Sequence, residues 1–199
     1  MKFTELNDKA KARAREWWLK GYEFDDDFVL DDAATVADLF GLDIRMRLVK
    51  TASGHRYEPS VYWSGFWSQG DGASFSGQYA YRKGALAAVK AYAPKDEELH
   101  RIVQRLQTVQ RRNFYGLRAR IEQHGRYYHS RTMRFDITHR DVSDVRPADE
   151  EELVDCLGDF ADWIYRRLAE EYDYQISDEV VDENIIINDY DFDEEGELE

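Results

Sequence analysis

The residues of this 199-residue chain that could do chemistry are few, and their spacing argues against most of it. His124, His129 and His139 fall in one stretch, but His129 and His139 are ten residues apart. Ten residues span over ~30 Å along a strand, too far to share one ion. Cys156 is the lone cysteine, so a thiolate-rich zinc site is not expected. Asp189-x-Asp191-x-Asp193 imitates the opening of a calcium loop, but the glycine falls at position eight rather than six. Gly70-Asp71-Gly72 lacks the lysine and following helix of a phosphate loop and reads as a turn. Ser64, Ser68, Ser74 and Ser76 have no histidine–carboxylate partners within reach of the pattern, so nucleophilic catalysis has no support. Cys156 lies among Leu153, Leu157 and Phe160 on a helical stripe and reads as core. We therefore expect a non-catalytic protein with no cofactor and no metal.

Charge is the stronger signal. The formal net charge is −14, and from Asp149 to Glu199 there are 21 acidic residues against Arg166 and Arg167. Between Leu99 and Arg140 stand ten arginines, with only Glu122 and Asp136 opposing them. Such polarity points to partners rather than to fold. Rows of carboxylates can imitate the phosphates of DNA and fill a basic groove on another protein. The expected partner-binding residues are Asp178, Glu179, Asp182, Glu183, Asp189, Asp191, Asp193, Glu194 and Glu195. A solubilising tail is the plainer alternative. The arginines of 99–140 could bind nucleic acid, or could pair internally with the acidic C-terminal helix. The second is preferred, because the overall charge repels a phosphate backbone.

Composition bounds the rest. Aromatic residues make up 14% of the chain, enough to build a core, which excludes global disorder. One cysteine permits no intrachain disulfide and suits a reducing compartment. MKFTELNDKA carries no apolar run or small-residue cleavage site, and no stretch approaches ~20 apolar residues, so neither a signal peptide nor a membrane span is expected.

The elements that must position these groups read as α+β. A helix runs from a Thr4 cap to Lys20 and ends at Gly21; a short one capped by Asp31 or Asp32 carries Val36, Leu39 and Phe40. Alternation predicts a strand over Asp43–Lys50 and a loop over Thr51–Pro59. Val61–Tyr81, VYWSGFWSQGDGASFSGQYAY, reads as a hairpin closed by Gly70-Asp71-Gly72. In that register Trp63 opposes Tyr79, Trp67 opposes Phe75, and Gly65 faces Gly77. The paired glycines leave a notch lined by Trp63 and Trp67, a second candidate site for a small ligand, against which a notch filled by a core side chain is the plainer reading. Helices follow over Lys83–Tyr92 and from an Asp96 cap, the latter with a Leu99, Ile102, Val103, Leu106, Val109 stripe. Phe114–His139 reads as a second hairpin with a Gln123-His124-Gly125 loop and one face of Arg118, Arg120 and Arg134. Asp149 and Glu152 open a long helix to about Tyr172, and Ser177 caps another. The last twelve residues read as mobile or extended. The expectation is one domain over residues 1–176, an antiparallel sheet packed by helices, with residues 177–199 an acidic extension.

Several strings also resemble a known family. YWSGFWSQGDGASFSG, Gly84-Ala85-Leu86 leading to Tyr92-Ala93-Pro94, Glu98-Leu99-His100-Arg101, Gln110 to Tyr115, Tyr127-Tyr128-His129-Ser130, and Trp163-Ile164-Tyr165-Arg166 with Glu171-Tyr172 are similar to small phage and prophage proteins labelled "antitoxin of a toxin–antitoxin stability system". The resemblance covers most of residues 60–180. It implies a cytoplasmic accessory protein of a phage-infected or lysogenic bacterium, one that binds and neutralises another protein. A toxin, or a host defence factor such as a CRISPR or restriction component, would be the target, and it would present a basic surface. Nucleic acid and membrane are not expected partners, and the oligomeric state is left open.

Overall fold

In the computed structural model, which describes residues 1–51 and 54–199, the chain is α+β and divides into two compact units. Unit 1 is Met1–Asp26 with Leu168–Glu199; unit 2 is Asp27–Arg167. The boundary expected after residue 176 thus falls inside unit 1. Its cause is the apolar content of the C-terminal region: Val181, Ile185 and Phe192 bury themselves with Phe3, Leu6, Ala10 and Ala14.

Unit 2 is built on a four-stranded antiparallel sheet in the order β1 (Leu42–Ile44), β6 (Gly77–Ala80), β7 (Leu117–Gln123), β8 (Met133–His139). Two further antiparallel pairs join β2 (Met46–Thr51) to β3 (Gly54–Pro59) and β4 (Val61–Trp63) to β5 (Ala73–Phe75). Residues 54–59 of the expected loop are therefore strand, and Ala52 and Ser53 lie outside the described residues.

The sheet alternates cleanly. Ile44, Tyr79, Leu117, Ala119 and Ile121 are buried, and their neighbours Asp43, Gln78, Arg118 and Arg120 are exposed. Helices supply the other wall of the core. These are α2 (Asp27–Leu39), α3 (Ala85–Tyr92), α4 (Glu97–Arg112) and the start of α5 (Pro147–Gln175). The α4 stripe is buried as its 3.6-residue period requires, and Asp96 caps the helix by accepting from Leu99 N at 2.9 Å. Phe160 of α5 centres the core, its ring 4.9 Å from Phe40, 5.9 Å from Phe75 and 5.4 Å from Trp163. Gln110, fully buried, stands in for a strand: its amide donates to Leu117 O and its carbonyl accepts from Leu117 N.

Both hairpin registers differ from expectation. Val61 pairs with Phe75 and Trp63 with Ala73, so residues 64–72 are loop. Ala119 pairs with Ile137 and Gln123 with Met133, so 124–132 form the connection, a loop ending in a 3-10 turn at Ser130–Thr132. Side chains organise these loops. Asp71 Oδ2 accepts from Trp67 N at 3.0 Å and Ser68 N at 2.6 Å. Gln123 donates to the carbonyls of His124 and Tyr127.

In unit 1, α1 (Asp8–Lys20) packs on α6 (Asp178–Ile187). Asn7, not Thr4, caps α1, accepting from Lys9 N and Ala10 N at 3.0 Å each; Ser177 caps α6. The last twelve residues are ordered, not mobile. Phe192 N donates to Met1 O at 2.9 Å, Phe192 is fully buried, and Asp193 Oδ1 accepts from Glu195 N and Glu197 N. Gly196 has φ +87°, and a Cβ there would lie 2.1 Å from Ala10 O, so only glycine lets the turn approach α1 this closely.

Candidate binding site

The aromatic notch does not exist in the folded chain. Gly77 sits on β6 opposite Ile44, and a Cβ on it would lie 2.3 Å from Asp43 O. The glycine permits close approach, but of the neighbouring strand and not of a ligand. Gly65 lies in the 64–72 loop, where its carbonyl accepts from the Tyr165 hydroxyl at 3.1 Å. Trp63 is half-buried and stacked on Phe66, whereas Trp67 is 77% exposed. The two tryptophans therefore share no pocket wall with Gly77. The notch rested on a three-residue turn, and the Asp71-centred loop replaces that turn.

His129 and His139 serve local structure. His129 Nδ1 accepts from Arg131 N, and His139 Nε2 lies 2.9 Å from Asn113 O. Cys156 is buried, and burial pushes its thiol up to about 12, which leaves no thiolate for nucleophilic work at neutral pH.

The arginines of 99–140 divide into two sets. Two of those on α4 pair with the acidic helix, Arg105 with Asp159 at 2.5 Å, and Arg112 with Asp149 at 2.9 Å and with Glu152, while Arg101 pairs with Glu98 on its own helix at 3.7 Å. The hairpin arginines do not. Arg118, Arg120 and Arg134 lie on the exposed face of the sheet, opposite the face that buries Leu117, Ala119 and Ile121. Arg120 reaches Glu122 at 3.2 Å, while Arg118 and Arg134 have no ion pair among the described residues. Asp43, Gln78, Arg120 and Asp136 stand in one cross-strand row, and with Arg118 and Thr138 they line a shallow hollow of about 660 Å³. Glu122 is held below the usual carboxylate range, chiefly by Arg45, which donates to it at 2.7 Å.

The acidic residues concentrate in unit 1. It holds 20 of the 41 acids and 6 of the 27 bases, so its −14 equals the formal charge of the whole chain and unit 2 is neutral. The fold sorts the nine expected binding carboxylates. Arg15 takes Asp182 with two hydrogen bonds of 2.6 and 2.7 Å and Asp178 at 2.9 Å. Lys2 Nζ takes Asp189 and Asp191 at 3.1 and 3.0 Å. These contacts raise the pKa of Arg15, through Asp182 first, and of Lys2, through Asp191 first. Asp193 is occupied by its own turn. Glu179, Glu183, Glu194 and Glu195 remain exposed, and their carboxylates have no partner among the described residues, Arg13 reaching only the Glu195 carbonyl. Sequence pattern located the charge but could not distinguish these four from the other five, because Arg15 and Lys2 are distant in the chain.

The fold and site thus define an α+β protein with one acidic unit and one neutral unit that keeps an open, mixed-charge sheet face. The chain belongs to the family described as Domain of unknown function (DUF8835), which matches residues 26–178, more than half of its length. No curated protein and no solved structure matches it. Among the described residues, no helix is long and apolar enough to cross a membrane.

Proposed function

We propose that this chain is a non-catalytic binding protein that engages and neutralises a protein partner with a basic surface, using the carboxylates of unit 1. The observation that carries this reading is the confinement of the net −14 to that unit, with Glu179, Glu183, Glu194 and Glu195 exposed and unpaired there. Fixed, exposed like charges on a folded scaffold create a field that steers a basic surface and lose little entropy on docking. A tail serving only solubility would not need Phe192 buried or Asp193 spent on its turn. The resemblance of residues 60–180 to phage proteins labelled as antitoxins supplies the setting: a toxin or host defence factor as target. The test is capture from bacterial lysate on the immobilised full chain, beside a variant with those four glutamates changed to glutamine. A basic protein retained by the first and lost by the second supports the reading; identical capture by both removes it.

A second reading has one observation in its favour. Arg118 and Arg134 stand unpaired on an uncovered sheet face, as a nucleic-acid site would require. Against it, Asp43, Glu122 and Asp136 share that face and leave it close to neutral.

A further inference from the structure

Unit 1 contains an open pocket of about 700 Å³ whose walls are aromatic. Trp18 stacks on Tyr22, ring centroids 5.2 Å apart at 27°, and Trp17 meets Tyr190 edge-on at 5.0 Å. All four rings are half-buried, so each shows part of its surface to the pocket. The irregular segment 21–25 that lines the pocket is pinned rather than loose. Gln175 Oε1 accepts from the Tyr22 hydroxyl at 2.5 Å and from Asp25 N at 3.2 Å, while Gln175 Nε2 donates to Asp25 O at 2.8 Å and Glu171 Oε1 at 2.7 Å.

The electrostatics of this pocket are one-sided. Glu23 and Asp25 are on its lining and Glu171 lies behind it; Lys20 is the cation among the lining residues. Lys20 is exposed and has no ion pair among the described residues, so its flexible stem is free to leave the opening. Burial, then Tyr172, Glu171 and Asp25, push the Tyr22 phenol up to about 12, which keeps it a neutral donor. Aromatic faces carry negative electrostatic potential, and carboxylates at the rim add to it. An anion is repelled here, and a neutral apolar ligand would make no use of the exposed Glu23 carboxylate on the lining.

We propose that this pocket receives the cationic end of a side chain, an arginine guanidinium first of all, presented by the basic partner. This rests on the reading of unit 1 as the surface that engages such a partner. The planar guanidinium can stack on an indole while its N–H groups reach Glu23, a combination an ammonium does less well. The pocket would thereby add short-range recognition to a surface that otherwise acts through screened charge.

The test is a titration of the full chain with Nα-acetyl-arginine methylamide, followed by the indole N–H resonances of Trp17 and Trp18. The control ligand is the citrulline isostere, which has the shape without the charge. Both indoles should shift saturably with the arginine probe and stay put with the isostere. Chain labelled with fluorotryptophan keeps the ring shape but weakens the ring potential, and should bind the probe about two- to fivefold less tightly. Glu23→Gln, on an exposed residue that leaves the fold intact, should weaken it by about the same factor, and Lys20→Gln should strengthen it. Equal shifts with the isostere would overturn the proposal. So would no shift while an arginine-rich decapeptide still binds in a salt-sensitive way; that outcome leaves the acidic-surface reading standing. Saturation by the probe with no binding of the decapeptide would refute the partner assignment itself.

Discussion

Asp182 and Arg15 form a two-pronged ion pair within unit 1, with both carboxylate oxygens accepting at 2.6 and 2.7 Å from a guanidinium that also holds Asp178. The pair ties α6 to α1 beside the Ala10, Ala14, Val181 and Ile185 contact. Asp182 is therefore a structural acid inside a region otherwise suited to binding. Asp182→Asn should lower stability by about 1–2 kcal/mol, the range for a lost charge-assisted hydrogen bond on a part-buried residue. Partner affinity should hardly change. Neutralising Glu179, Glu183, Glu194 and Glu195 together should do the reverse. Urea unfolding beside a binding titration separates the two; loss of affinity by Asp182→Asn without loss of stability would contradict the assignment.

Acid should act through Asp149. Its carboxyl is buried, which by itself would raise its pKa, but hydrogen bonds from Asn113, Arg146 and Arg112 hold it below the ordinary 3.8. A group whose pKa is depressed by folding stabilises above its unfolded value, and that contribution vanishes as pH falls through the lowered folded value. Asp149→Asn should therefore cost about 2 kcal/mol at pH 7. The gap to the unsubstituted chain should narrow as pH falls below the ordinary 3.8 and through the lowered folded value. Denaturant midpoints at pH 7 and pH 2.5 measure this, and a gap independent of pH would point to lost packing instead.

The aromatic stretch after Val61 is of mixed importance. Phe160→Ala removes a ring touching Phe40, Phe75 and Trp163 in a fully buried site and should cost about 3–5 kcal/mol. Trp63→Ala, on a half-buried ring, should cost less, about 1–3 kcal/mol. Trp67→Ala should stay within about 0.5 kcal/mol, since Trp67 is largely in solvent. Thermal unfolding of the three variants gives the order, and a Trp67 variant as damaged as Phe160→Ala would break it.

Much of this was legible in the sequence. The Asp96 and Ser177 caps, the α4 stripe and the exposed row of Arg118, Arg120 and Arg134 all follow from local periodicity and capping chemistry, which act over a few residues. The hairpin registers did not follow. Their loops are fixed by Asp71 gripping Trp67 N and Ser68 N, and by Gln123 gripping carbonyls up to Tyr127, so a short turn that satisfies the alternation is not the turn that forms. The order of the C-terminal segment was hidden for a similar reason. Phe192 stands in a charged run with only Tyr190 and Leu198 as other large apolar residues, and its docking depends on Phe3 and Trp17 near the other end of the sequence. The sorting of the carboxylates depends on Arg15 and Lys2 in the same way.

The sheet face of unit 2 should not retain nucleic acid. Four exposed arginines, Arg45, Arg118, Arg120 and Arg134, share it with Asp43, Glu122 and Asp136. Within a Debye length of about 8 Å at 0.15 M salt these largely cancel. Mobility-shift assays with duplex and single-stranded probes at that salt should show no complex. A tight complex abolished by Arg118→Ala with Arg134→Ala would promote the second reading over the first.

In the proposed function the free carboxylates of unit 1 make the contact with a basic partner. The most direct measurement is the dissociation constant of the captured partner as sodium chloride rises from about 0.05 to 0.5 M, for the full chain and for the variant with Glu179, Glu183, Glu194 and Glu195 changed to glutamine. Affinity of the unsubstituted chain should fall by about tenfold or more over that range, and the variant should start weaker and respond less, because the charges that salt screens are gone. Two coincident, salt-insensitive curves would contradict the account.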